Sequence, residues 1–424
     1  MKLAFVTPRY GADIVSGPEH VCRLLAEHIS KRHDVDVITT CAQDAHGSRN
    51  DYPEGPDRVR GVRIRRFPLS ARRSPTTTTP LDRLVGEPHG REDELEWVRQ
   101  SSPWSTALVE HLKNQQHTYD AVVFFSMTAA TTVFGLPVAQ ERAILVPYVQ
   151  LDPSLRFSLW AQVLSAPRAI GLVSATERRL IKDYVRAGVV HDELVGIGIE
   201  RPPQASYPRH QQDPDDTLAN DDDPQGTEED TVPVFEGPGI PFRRRHRLYG
   251  SFALFGGRME PGNGCQEMLD YFDTFAASME TPPSLVLMGT KMMRVPDAPY
   301  LRHAGVLPDR ERMLAFEAAD LTIAPASEDL LAESVLESFA VGTPVVASAR
   351  NAAAVEHCSR AHAGLYYENR DEFVECVRLL ATDGELCRKL GESGRHYIDQ
   401  HYRWDAVVAR LEHLLGRIRG RSAA

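Results

Sequence analysis

The residues best suited to chemistry in this 424-residue chain gather in four loops, each following an apolar run. The first runs from Pro8 to Glu19 and holds Gly11, Ser16 and Gly17 ahead of a helical pattern. Free N–H groups at a helix start attract phosphate, and glycine lets backbone approach a ligand; the same composition also makes a plain turn. The second is Gly256-Gly257-Arg258-Met259-Glu260-Pro261-Gly262-Asn263-Gly264. Arg258 at its tip is a planar, permanent cation suited to phosphate, or an exposed arginine in a glycine-rich turn.

In the third loop, the apolar run ending at Ala324 leads into Asp329 and a helix start at Glu333, Ser334 and Val335, with Glu337 one turn on. Unpaired N–H groups for a pyrophosphate, with a carboxylate one turn further for a ribose diol, would form a nucleotide-sugar site. The bland alternative is an acidic cluster that complements the helix dipole. The fourth loop holds Tyr148, Gln150 and Asp152, which with Phe125 and Ser126 are placed to line an opposing pocket or to form a solvated loop. Asp221-Asp222-Asp223 superficially imitates an acidic metal motif but sits in a polar run, and His357, Cys358 and His362 read as surface chemistry, so no metal site is expected.

Short apolar runs at 2–7, 34–40, 61–67, 119–125, 142–147, 168–173 and 194–198 alternate with helical patterns at 18–31, 104–116, 128–135, 155–165 and 175–187. Pro18 and Glu19 are helix-start signals. The alternation stops over 201–241, which is rich in proline and acid, and reads as a disordered linker. It restarts with strands at 251–257, 284–289, 320–325, 343–348 and 363–367 and helices at 264–279, 309–318, 333–341, 370–381, 384–398 and 403–418. Near-continuous apolar strands with helices between them predict α/β domains with parallel sheets, and ligands at the carboxyl ends of the strands. The expected division is 1–200, the linker 201–241, a second domain 242–402, and a closing helix 403–424.

Composition narrows the function. The chain is 42% hydrophobic and 25% charged, as a globular protein is, with a net charge of -11. Nine of its acids lie in 213–230, so the remainder is close to neutral. This argues against a nucleic-acid binder acting through bulk charge. Six cysteines without a C-x-x-C pair fit reduced thiols in a cytoplasm. The N-terminal apolar run is too short for a signal peptide, and no stretch matches a membrane span. A G-x-G-x-x-G fingerprint is missing, which disfavours a dinucleotide oxidoreductase.

Taken in order, these blocks resemble family-four retaining glycosyltransferases, also called glycosyl transferases group 1. MKLAFVTPRYG…SGPEH resembles the opening strand and glycine loop, and FRRRHRLYGSFALFGGRMEPGNG the start of the second domain. DLTIAPASEDLLAESVLESFAVGTPVVAS resembles the paired-acid signature and the G-T-P-V-V run that follows it, and YRWDAVVARLEHLL the closing helix. The resemblance implies a GT-B fold, with two Rossmann-like domains facing across a cleft and the last helix crossing back to the first domain. It implies sugar transfer with retention from a UDP- or GDP-linked donor, without metal or cofactor. Arg258 matches the phosphate-binding arginine, Glu337 the ribose-binding glutamate, Gly17 the loop glycine facing the diphosphate, and Gly305 and Val306 the segment beside the base.

Three positions depart from the pattern. The usual lysine falls at Asn263, the first acid at Asp329, and a His-Asp pair reads Gln150-Leu151. Asn263 is open to two readings, a bystander beside Arg258 or a contact to an unusual sugar. The expected acceptor is small and polar, as in antibiotic assembly. A cell-envelope acceptor and a weakly active nucleotide-sugar-binding partner subunit are the alternatives. No nucleic acid and no stable membrane insertion are expected, and a homodimer is admitted.

Overall fold

Apolar runs with β-branched residues become strands where both faces can be covered. The structure, a computed structural model, describes residues 1–47, 49–70, 80–185, 191–200, 239–327 and 329–421. The chain forms two compact units, one of residues 1–199, 328–331 and 400–424 and the other of residues 200–327 and 332–399.

The first unit carries β1 (Lys2–Val6), β2 (Asp34–Thr40), β3 (Gly55–Val59), β4 (Val62–Phe67), β5 (Ala121–Phe125), β6 (Ala143–Val146), β7 (Ala169–Leu172) and β8 (Asp192–Leu194). Their order is β3-β4-β2-β1-β5-β6-β7-β8, and every pairing is parallel except β3 with β4. The central strands β1 and β5 are buried throughout or nearly so. The helix Trp404–Arg421 belongs to this unit. It stacks Trp404 on His28 with ring centroids 3.7 Å apart, and Arg410 donates to the Val195 carbonyl at 2.9 Å.

The second unit carries β9 (Phe252–Gly256), β10 (Ser284–Met288), β11 (Leu301–Gly305), β12 (Leu321–Ala324), β13 (Val345–Ser348) and β14 (Gly364–Tyr367), ordered β11-β10-β9-β12-β13-β14 and all parallel. Strand alternation divides its core. Ala253, Phe255, Leu285 and Leu287 pack with Phe272 and Phe373 on one face, while Phe252, Leu254, Val286 and Met288 pack with Phe242 and Phe316 on the other.

Two expectations are corrected, and some elements were not foreseen. The eighth strand is Asp192–Leu194, not 194–198, because Gly196 takes a left-handed turn with φ +70°. Two strands, β3 and β11, were not foreseen. A helix, Ala352–Ala361, joins β13 to β14, and it buries His357 and Cys358 instead of placing them at the surface; His357 Nδ1 lies 3.1 Å from the Tyr397 hydroxyl. The acidic run and nearly all of the linker, including Asp221, Asp222 and Asp223, lie outside the described residues. Among the described residues no cluster of His, Cys, Asp and Glu could hold a metal, and no helix is long and apolar enough to cross a membrane.

Candidate functional site

In the first unit, a pocket of about 290 Å³ opens where β1, β5 and β6 end. Its wall includes Glu19, Trp97, Ser126, Tyr148, Gln150 and Asp152. Two of these have left-handed backbone, Ser126 at φ +68° and Tyr148 at φ +51°. Such conformations are costly for residues with a side chain and persist only when the surroundings enforce them. Here Ser126 N–H donates to the Val146 carbonyl at 2.9 Å and Met127 N–H to the Pro147 carbonyl at 2.8 Å, locking the ends of two adjacent strands together. Tyr148 is buried, whereas Gln150 and Asp152 are exposed, and Asp152 Oδ1 accepts from the Ser154 N–H at 2.8 Å. Phe125 does not line this pocket. As the last residue of β5 it points into the core, 5.2 Å from the Phe5 ring.

A residue that sequence reading passed over holds this wall. Glu177 is fully buried on the helix Ala175–Leu180, and its two oxygens accept from the Val149 N–H at 2.8 Å and the Val173 N–H at 2.7 Å. It thus ties the segment after β6 to the end of β7. Burial pushes its carboxyl up to about 7, opposed by bonds from backbone N–H groups. Gly17 begins the helix Gly17–Ile29 at φ +78°, where any side chain would be strained. Glu19, in that helix's first turn, pairs with Arg9 at 2.9 Å.

In the second unit, the loops carrying most of the expected donor residues converge at the carboxyl ends of β9, β10 and β12. Close backbone approach fixes this. A Cβ on Gly289 would lie 2.0 Å from the Gly257 carbonyl oxygen, and one on Gly264 would lie 2.7 Å from the Ala326 carbonyl oxygen. Gly289 N–H also donates to the Gly305 carbonyl at 2.8 Å. Gly305 has φ +76° with open space around it, and Val306 is exposed.

Arg258 stands out from the loop, its side chain 59% exposed, with Nη2 held 3.1 Å from Glu260 Oε1. The same carboxylate oxygen accepts from Asn263 Nδ2 at 2.8 Å. Asn263 Nδ2 also reaches the Arg258 carbonyl at 3.3 Å, and Asn263 Oδ1 accepts from the Ser327 hydroxyl at 3.4 Å. The amide is therefore engaged in bracing Arg258 and joining two loops, a role that neither sequence reading had given it.

After β12, Asp329 Oδ1 accepts from the Leu331 N–H at 3.1 Å, and Ala332 takes φ +45° to start the helix Glu333–Val341. Glu333, Ser334 and Val335 form its first turn, with Val335 buried. Ser338 donates from its hydroxyl to the Thr322 hydroxyl and the Thr343 carbonyl, both at 2.8 Å, anchoring this helix to β12. Thr343 then donates to the Phe316 carbonyl at 2.7 Å, tying in the helix Asp309–Ala318. Between these helices Glu337 is buried and paired with Arg312, Nη2 to Oε1 2.6 Å. Nothing in the local pattern DRERMLAFEA marks Arg312 as different from the solvated charges beside it.

No curated protein matches the chain by sequence. Residues 242–397 match the model of the glycosyl transferases group 1 family. Sucrose-phosphate synthase from Thermosynechococcus elongatus superposes with a TM-score of 0.65 at 14% identity, covering 100% of both chains. The Anabaena protein HepE, solved with UDP and glucose, superposes at 0.65 and 12% identity, covering 98% of this chain and 100% of its own. WaaG, a glycosyltransferase involved in lipopolysaccharide biosynthesis, superposes at 0.60 and 14% identity, covering 97% and 99%. The architecture is therefore GT-B. Within the second unit, residues 242–397 are similar to the glycosyl transferases group 1 family.

Proposed function

We propose that this chain transfers a sugar from a UDP- or GDP-linked donor to a small polar acceptor, retaining the anomeric configuration and using no metal. The observation that carries this reading is the convergence, in the second unit, of the braced Arg258, the open segment Gly305–Val306 and the helix start before Glu337. In this reading the bond from the anomeric carbon to the diphosphate oxygen breaks as the acceptor oxygen bonds on the same face. The acceptor proton passes to the departing diphosphate. In the second unit Arg258, with the backbone N–H groups of Glu333, Ser334 and Val335, stabilises the charge that develops there. Asp329 takes the place of the first acid of the signature. Ser126, Tyr148, Gln150 and Asp152 bind the acceptor in the first unit, whose hydroxyl-rich pocket suits a polyol. A soluble, cytoplasmic acceptor in specialised-metabolite assembly completes the reading.

Thermal unfolding with UDP, GDP, ADP and TDP tests it. A ligand that binds only the folded state at 100 times its Kd adds about 2.7 kcal/mol. One of UDP and GDP should raise the melting temperature in proportion to the logarithm of its concentration, and the matching nucleotide sugar should be slowly hydrolysed. A flat response to all four removes the donor site.

A further inference from the structure

Arg312 reaches Glu337 from the helix Asp309–Ala318, and the same Nη2 lies 3.8 Å from Glu333 Oε1 and 3.9 Å from Asp309 Oδ1. The Glu337 side chain is only 7% exposed. Arg312 Nε is buried with no hydrogen-bond partner, so the guanidinium gives up one of its own bonds to sit where it meets Glu337. Only Oε1 of Glu337 is taken by this pair.

We propose that Arg312 is a positioning residue of the donor site: it holds Oε1 of Glu337, presents Oε2 to the ribose hydroxyls, and so makes the site prefer ribonucleotides over deoxyribonucleotides. This rests on the donor-site reading above. Burial raises the Glu337 carboxyl, and Glu333 and Asp309 raise it further; Arg312 is the cation that pulls it down. Those three groups face Glu337 from the two helices that enclose it. An ionised carboxylate accepts hydroxyl bonds at both oxygens, and more strongly than the protonated acid. Without Arg312 the buried Glu337 would lose its cation while Glu333 and the exposed Asp309 stay near it, and it would hold its proton to higher pH.

The test compares wild type with R312M, R312K and E337Q by titration calorimetry across pH 6.5–9. The probes are whichever of UDP and GDP the wild type binds and its 2′,3′-dideoxy counterpart. Wild type should prefer the ribonucleotide by about tenfold or more, the range for bonds to a charged group. Burial leaves the wild-type Glu337 carboxyl raised to about 8 even beside Arg312, so the wild-type preference should grow as pH rises through that value; in R312M the rise should move to higher pH, whereas in E337Q the preference should stay collapsed throughout. R312K keeps the charge and guards against a folding defect; it should keep the wild-type pH profile with a smaller preference. Equal weakening of both probes in R312M, with an unchanged preference and pH profile, would overturn the inference while leaving the donor site in place. If wild type binds neither UDP nor GDP, the donor reading itself fails and the role of Arg312 with it.

Discussion

Replacing Glu177 by glutamine keeps the shape of the side chain and removes one of two functions it performs in the first unit. Both carboxyl oxygens accept a backbone N–H. The amide can accept only one, and its NH₂ group would then face the second donor. Leaving a buried N–H unsatisfied costs about 1–3 kcal/mol. Against this, the native carboxyl carries a pH-dependent penalty. Its pKa rises on folding from 4.5 to about 7. The folded state thus binds the proton more tightly, and the stability gained is fully present below pH 4.5 and lost as pH rises through 7. At about 1.4 kcal/mol per pKa unit the swing is roughly 3 kcal/mol. E177Q should therefore melt well below wild type at pH 5, and the gap should narrow or close by pH 8. At roughly 2–4 °C per kcal/mol for a unit of this size, the change in the gap is readily measured. Other titrating groups cancel in the difference between the two proteins. A gap that stays constant from pH 5 to pH 8 would refute the assignment of this titration to Glu177. The loosened Tyr148–Gln150 segment should also exchange its amide hydrogens faster in E177Q, while β1 and β5 stay protected.

Arg258→Ala should lower kcat/KM for the nucleotide sugar by roughly 10- to 150-fold, as for one charge-assisted bond to phosphate, with an unchanged melting temperature because the side chain is exposed; unchanged turnover would displace the donor site. Asn263→Ala removes the brace on Glu260 and the link to Ser327, so both nucleotide affinity and turnover should fall together; loss of transfer with intact nucleotide binding would instead assign Asn263 to the sugar. Gly289→Ala places a methyl group against the Gly257 carbonyl at φ +129°, and should destabilise the second unit by more than about 2 kcal/mol in denaturant unfolding. Trp404→Ala removes the stack on His28 and the cover over Gly198; it should cost about 3–5 kcal/mol in the first unit, and a loss below 1 kcal/mol would show that the closing helix is loosely held.

The buried strands were readable because burial on both faces demands unbroken apolar runs, and β1, β5, β9 and β12 are such runs. The two missed strands lie at sheet edges, where that demand lapses. β3 reads GPDRV and is largely exposed, and β11 reads LRHAG. The helix Ala352–Ala361 could have been inferred from topology, since two parallel strands need a crossover between them. Of the candidate site, Arg258 and Glu337 were singled out through the resemblance of their blocks to a family pattern. Their partners were not. Glu177 stands three residues after Ser174, which looks like a helix cap, and Ser174 does accept from the Glu177 N–H. That its carboxyl turns instead to Val149 and Val173 depends on a neighbouring strand end that local pattern does not reveal. Arg312 meets Glu337 across 25 residues of chain, through two helices joined by Thr343, whose carbonyl accepts from Ser338 and whose hydroxyl donates to the Phe316 carbonyl.

The first unit is not continuous in sequence, and this sets the order in which the protein can be made. Its sheet is complete by Leu194, yet Trp404, Arg410 and Leu414 reach Gly198, Val195 and Gly171 only after a further two hundred residues have been synthesised. During that interval the β7–β8 edge presents apolar surface and an unpaired carbonyl to the cell. The second unit, residues 200–327 and 332–399, draws on nearly continuous sequence. The element begun first is thus finished last, and a ribosome that stalls before residue 404 releases a half-covered sheet exposed to chaperones and proteases.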